Sequence, residues 1–146
     1  MICRTTTSVL MPTTEADLVR VAVGVIRRNN LILIAKRPDD IHQGGLWEFP
    51  GGKIQLGESD TDALARELRE ELGIEVDSAY SQHLFPIPWD YGDKKVVLEI
   101  YLVEDFSNDP EGREGQPIKW VSPRELTQYA FPEANEEIIS WLLDYA

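Results

Sequence analysis

The sequence predicts an α+β fold, an α/β/α sandwich in which a mixed β-sheet lies between helices. Three observations predict it. VRVAVGVIRR (residues 19–28) places Val19, Val21, Val23 and Val25 at alternate positions, the period of a strand. The stretch from Asp60 to Leu72 carries Leu64, Leu68 and Leu72 at the four-residue spacing of a helix. A second amphipathic stretch, PEANEEIISWLLDY (132–145), closes the chain.

The elements follow in order. Residues 1–17 read as a loose Thr-rich lead, and residues 18–146 as a single domain. After the strand at 19–28, Asn29-Asn30 marks a turn and LILIAKR (31–37) returns as the second strand. PDDIHQGG (38–45) is loop, and LWEF (46–49) is a short strand that Pro50, Gly51 and Gly52 stop. The helix at Asp60–Leu72 has Ser59 at its N-cap, Asp62 three residues further on and Gly73 just past its last turn. SQHLFPI (81–87) and KVVLEIYLV (95–103) read as strands joined by the turn region WDYGDK (89–94). DFSNDPEGREGQP (105–117) is a polar loop, IKWVS (118–122) a last short strand and SPREL (122–126) a helical turn. In the final helix Ile138, Ile139, Trp141 and Leu142 turn inward. Trp47, Trp89, Trp120 and Trp141 read as packing residues, and His83, inside a strand pattern, as structural.

Composition narrows the function. A chain of 146 residues buries about 68–70% of its unfolded surface, enough for one core. The net charge of −12, with Lys and Arg adjacent at most in pairs, opposes direct binding to nucleic acid. Small polyphosphates remain within reach of an acidic protein that recruits metal cations. The one cysteine, Cys3, supports neither an intramolecular disulfide nor a cysteine-based metal cluster. No apolar run approaches the ~20 residues of a membrane span, and the N-terminus does not resemble a secretory signal. The expectation is a cytoplasmic protein, monomer or homodimer, with no membrane partner.

Glu67, Glu70 and Glu71 fall within about 100° of arc on the predicted helix, beside its leucine stripe. Like charges at this spacing cost only ~0.2–0.5 kcal/mol per pair on an exposed helix. Beside a buried stripe they are partly desolvated and the repulsion grows. A divalent cation would relieve it, and an oxygen-only donor set suits Mg²⁺ or Mn²⁺. Arg66 borders the acidic arc, in place for an i,i+4 pair with Glu70. Gly51 and Gly52 permit close approach of a ligand to the backbone. Glu58, just before the helix, either folds back toward the metals or complements the helix N-terminus.

Gly52, five residues, Glu58, seven residues, then Arg66-Glu67-Leu68-Arg69-Glu70-Glu71-Leu72-Gly73-Ile74 resembles the complete box of the Nudix hydrolases. Each of its seven fixed identities has a background frequency of order 0.1 or less, so the joint chance is about 10⁻⁷ per window. The resemblance implies a mixed sheet between helices and Mg²⁺-dependent cleavage of a nucleoside diphosphate linked to another group, by water attack on phosphorus. It implies Glu67, Glu70 and Glu71 as metal ligands and catalytic residues, with Arg66 beside them, Gly51 in the metal site and Glu58 in support. A glutamate near the metals deprotonates the water; which one stays open.

Outside the box the chain resembles most the MutT type, the 8-oxo-dGTP diphosphatases, through LWEFPGGK (46–53), REGQPIKW (113–120) and FPEANEEI (131–138). By that resemblance Asn135 reads the base and Glu114 joins the metal site from the 105–117 loop. Arg37 contacts the nucleotide, His42 lies over the pocket and Phe49 lines it. Lys94 stands where the MutT pattern has an arginine. Trp47 stands where it has a smaller aliphatic residue, as in relatives that cleave cytidine nucleotides, so CTP or dCTP is the second substrate expectation. Asn135 suits 8-oxoguanine: its amide oxygen accepts from N7–H, a donor the normal base lacks, while its amide nitrogen donates to O6. Asn135 capping the last helix is the alternative role. A nucleotide-binding module without turnover is the non-enzymatic alternative.

Overall fold

The alternating valines build strand β1 (Leu18–Arg28), whose positions 22–26 are all buried between two apolar layers. Asn29 and Asn30 both take positive φ (55° and 65°), the geometry of a tight hairpin turn, and β2 (Leu31–Lys36) returns antiparallel. The computed structural model describes residues 18–38 and 44–145. The 1–17 lead, Cys3 and His42 lie outside the described residues.

The remaining elements are β3 (Trp47–Glu48), β4 (Gly51–Lys53), helix α1 (Asp60–Leu72), β5 (Glu75–Val76), β6 (Gln82–Asp90), β7 (Lys95–Val103), β8 (Phe106–Ser107), β9 (Ile118–Val121) and helix α2 (Glu136–Tyr145). The main sheet runs β3-β2-β1-β7-β6, with β4 paired to β1 and β9 to β2. β1 and β7 are parallel from Leu18↔Lys95 to Ile26↔Val103, and their neighbours are antiparallel, so the sheet is mixed. β1 thus lies between the segment of β4 and the long strand β7. That placement brings β4 to the start of α1.

Two apolar layers hold the sheet. On one face Ala22, Ile26, Leu33 and Tyr101 pack against Leu64, Leu68 and Leu72 of α1. On the other Val23, Val25, Ile34, Leu98 and Ile100 pack against Ile138 and Leu142 of α2. The expected sandwich is therefore present: α1 covers one face and α2 the other. Ile139 and Trp141 sit at the margin of the second layer, half-buried, instead of fully inside.

Four local expectations are corrected. Gly51 and Gly52 do not stop the chain; with Lys53 they form β4, in register Val21↔Lys53, Ala22↔Gly52 and Val23↔Gly51. Only a residue without a side chain fits there, because a Cβ on Gly51 would run into the Ala22 carbonyl. β6 continues through Trp89 to Asp90, leaving a tight turn at 91–94. It accommodates Pro86 and Pro88 because it is an edge strand, paired only with β7. The 105–117 loop contains β8, which pairs with β5 in a ribbon of two residues each, too short to show a period. The last helix begins at Glu136; residues 133–135 form a 3₁₀ turn closed by Asn135 N–H donating to the Pro132 carbonyl at 2.9 Å.

Candidate active site

Helix α1 forms as its sequence dictates. The Ser59 hydroxyl accepts from Asp62 N–H at 3.1 Å, and Gly73 ends the helix at φ 76°. Its buried leucines fix its rotation against the sheet. Glu67 and Glu71 then turn toward the protein, while Glu70 stays on the solvent side, more than half exposed.

Arg66 organises the space between the helix and β4. Its Nε donates to Glu58 Oε2 at 2.7 Å and its Nη2 to Glu58 Oε1 at 3.0 Å. Nη2 also reaches the Lys53 carbonyl at 3.1 Å, and Nη1 donates to Glu67 Oε2 at 2.9 Å. The expected i,i+4 pair with Glu70 is present and is the longest of these contacts, at 3.5 Å. Glu58 folds back to the guanidinium edge, where its carboxylate makes the shorter, two-pronged contact. Glu58 also accepts from Gln55 N–H at 3.0 Å. The Arg66 hydrogen bonds and this backbone donor hold its carboxyl down, to about 2.

Glu71 is the opposite case. Burial, a hydrogen bond with Glu67 and the charges of Glu67, Glu48 and Glu114 push its carboxyl up, to about 9. Glu71 therefore holds its proton more tightly than an ordinary carboxyl. Gly52 lies against this pair, since a Cβ there would overlap the Glu67 carboxylate. Among the described residues no three carboxylate, imidazole or thiol side chains are drawn together closely enough to hold a cation as they stand. The chemistry of the donors nonetheless fits one. They are hard oxygens, and the crowding of Glu71 by Glu67, Glu48 and Glu114 is what a divalent cation would relieve.

Beside β4 opens a pocket of about 260 Å³ lined by Arg37, Glu48, Phe49, Tyr91, Lys94 and Asn135, among others, with Gly51 and Gly52 in its wall. It brings together Arg37, Phe49, Lys94, Asn135 and Gly51 from four segments of the chain. Phe49 is buried and stacks on Phe131 with ring centroids 5.2 Å apart. The Asn135 side chain makes no hydrogen bond to the described residues, so it does not cap α2. Glu114 lines a second pocket of about 280 Å³ with Lys36, Pro38 and Gln116; Arg37 is common to both.

Sequence reasoning missed three residues here. Glu48 is half-buried, and Arg37 Nη1 donates to its Oε1 at 2.7 Å. Burial pushes the Glu48 carboxyl up, and the Arg37 partner opposes this. The available signal was a charged residue between Trp47 and Phe49 in an otherwise apolar strand. Tyr91 lines the first pocket from the 91–94 turn, where nothing distinguished it from other turn residues. Gln116 bridges Glu114 and α1. Trp47, by contrast, lies outside the first pocket's lining and packs edge-on against Tyr129 at 5.4 Å. His83 is structural as expected: its Nε2 lies 2.9 Å from Glu99 Oε1 and its ring stands edge-on to Tyr101.

Known proteins resemble this chain closely. A family model described as a NUDIX domain matches residues 22–141. An 8-oxo-dGTP diphosphatase of Escherichia coli (strain K12) is 42% identical over 127 residues, 84% of this chain and 95% of that protein. A CTP pyrophosphohydrolase of the same strain is 37% identical over 118 residues, 81% of this chain and 86% of that protein. A solved structure from work on MutT of Aliivibrio salmonicida and Vibrio cholerae superposes with a TM-score of 0.78 at 37% identity, covering 88% of this chain and 99% of that one.

Proposed function

The chain belongs to the Nudix hydrolase family, and on that premise we propose that it hydrolyses 8-oxo-dGTP to 8-oxo-dGMP and diphosphate. The observation that carries this reading is the pocket in which Asn135, Phe49, Arg37 and Lys94 converge beside Gly51 and Gly52. The similarity to 8-oxo-dGTP diphosphatases over most of the chain supports the same substrate.

The family typically uses divalent metal ions. Glu67, Glu71 and Glu114 would hold Mg²⁺, or Mn²⁺ in its place, with Glu70 and the Gly51 backbone beside them and Glu58 in support; the cation would supply charge neutralisation at the phosphates and an acidified water. Arg66 keeps Glu58 and Glu67 in position. Arg37 and Lys94 offset the charge of the triphosphate. One water enters: its oxygen bonds to phosphorus, the anhydride between the first and second phosphates breaks, and its proton passes to a carboxylate of the cluster. General-base help of this kind is worth ~10²–10⁴-fold.

Phe49 offers the base an apolar wall and Asn135 an amide that makes no hydrogen bond to the described residues. A polar site matched to N7–H and O6 leaves its acceptor facing the lone pair of N7 when ordinary guanine enters. Mismatches of this kind discriminate by as much as ~10⁴–10⁵-fold. Asn135→Ala is expected to cut the preference for 8-oxo-dGTP over dGTP at least 100-fold, with kcat on dGTP changed far less. Steady-state kinetics on both substrates check this, and an unchanged ranking would remove Asn135 as the reader. The second reading, a CTP or dCTP diphosphohydrolase, is favoured by the similarity to a CTP pyrophosphohydrolase. Trp47, which suggested it in the sequence, is not among the residues that line the pocket.

A further inference from the structure

The end of α1 leaves carbonyls without helical partners. The 105–117 loop supplies their donors. Glu111 N–H donates to the Leu72 carbonyl and Arg113 N–H to the Glu71 carbonyl, both at 3.0 Å. Asn108 Nδ2 donates to the Gly73 carbonyl at 3.3 Å. One contact does more than cap the helix. Gln116 Nε2 donates to the Glu71 carbonyl at 3.0 Å while Gln116 Oε1 accepts from Glu114 N–H at 2.9 Å. We propose that Gln116 is a positioning residue that locks the Glu114 backbone to the Glu71 backbone and so keeps Glu114 on the side of the helix end from which it can join Glu71 at a cation. The inference deepens the proposed function and rests on its reading of Glu114 as part of the cation site.

The chemistry explains why an amide stands there. A carboxamide carries a donor and an acceptor on one planar group, at a fixed separation. No aliphatic, hydroxyl or charged side chain presents both with that geometry. The two residues it joins need holding. Glu114 is one of the carboxylates whose negative charge Glu71 feels. Glu114 is exposed and is flanked by Gly115, at φ 81°, which leaves its backbone easy to turn away. Within the turn Gly115 N–H donates to the Gly112 carbonyl at 3.0 Å, and the backbone tie to the helix is made by Arg113, one residue before Glu114. Gly112 in turn must be glycine, because a Cβ would run into the Gln116 carbonyl. The fold thus brings the loop's end against Gln116, and Gln116 ties Glu114 to the helix.

Partners that orient metal ligands are typically worth 10–100-fold in affinity or activity. Mn²⁺ binding to the nucleotide-free protein, followed by the free-ion EPR signal, tests the inference on Gln116→Met, Gln116→Asn, Asn108→Ala and Glu114→Gln. Melting temperatures are taken alongside. Gln116→Met keeps the length and loses both hydrogen bonds; Gln116→Asn keeps both groups but is too short to span them. Either variant that folds is expected to bind Mn²⁺ about 10–100-fold more weakly, with kcat falling more than KM rises. Asn108→Ala, which loosens the same loop without touching Glu114, is expected to lower the melting temperature and leave Mn²⁺ affinity within about twofold. Normal Mn²⁺ affinity in the Gln116 variants, with Glu114→Gln weakened, would overturn the clamp and leave the function reading intact. Equal weakening in Asn108→Ala would reduce Gln116 to a general loop anchor and overturn it too. Unchanged affinity in Glu114→Gln would instead strike at the reading of Glu114 and take the clamp with it.

Discussion

Glu71 carries the most consequential charge state in the site. Its folded carboxyl is pushed up to about 9 by burial, Glu67 and the neighbouring carboxylates. In the unfolded chain it releases its proton in the ordinary carboxylate range, near 4.3. Between those values the folded protein binds the extra proton, so stability falls as pH rises through the window. Glu48, raised by burial, adds the same sign. Glu58, held down by Arg66 and a backbone donor, acts only at the acid end, below the ordinary carboxylate range. The metal-free protein is therefore expected to lose melting temperature from pH 5 to pH 9. Saturating Mg²⁺ should flatten the curve by displacing the proton, and Glu71→Gln should flatten it without metal. Thermal scans across that range decide it; a metal-free melting temperature that rises with pH would refute the charge assignment.

Elements were legible where local signals agreed. Helix α1 has the bounds read from its cap, its leucine spacing and its terminal glycine, because all three are short-range. β7 was equally plain, nine residues long and apolar apart from Lys95 and Glu99. β4 was not, since two glycines carry no period and their pairing depends on the Ala22 carbonyl far back in the chain. The box glutamates could be named from spacing alone. Glu48 and Gln116 could not, because their importance lies in partners 11 and 45 residues away. The two glycines of β4 also separate packing from chemistry. At Gly51 a new Cβ meets backbone that cannot yield, so Gly51→Ala should destabilise by at least the ~1–3 kcal/mol of an overpacked core. At Gly52 it meets the movable end of Glu67. Gly52→Ala should keep its melting temperature within a few degrees and lose kcat by 10-fold or more. Denaturation and steady-state kinetics on the two variants check the contrast; equal destabilisation would contradict it.

At the scale of the whole molecule, the sheet works as a shared platform. α1 on one face presents Glu67 and Glu71 across β4. The other face, with Phe49 and the 3₁₀ turn before α2, forms the pocket. β4, paired to the middle of β1, is where the two meet. Under the proposed function, reaction and recognition are assigned to different layers on the same sheet. The acidic α1 face is common to the box, and Asn135, Phe49 and Lys94 lie in segments outside it. No helix among the described residues is long and apolar enough to cross a membrane. The central claim is that this second layer selects an oxidised purine. Its most direct test is kcat/KM for 8-oxo-dGTP against dGTP, CTP and dCTP with Mg²⁺, following diphosphate release. The account predicts a preference for 8-oxo-dGTP of about 10³ or more, within the range a matched polar site can deliver. A flat profile, or a preference for the cytidine nucleotides, would contradict it.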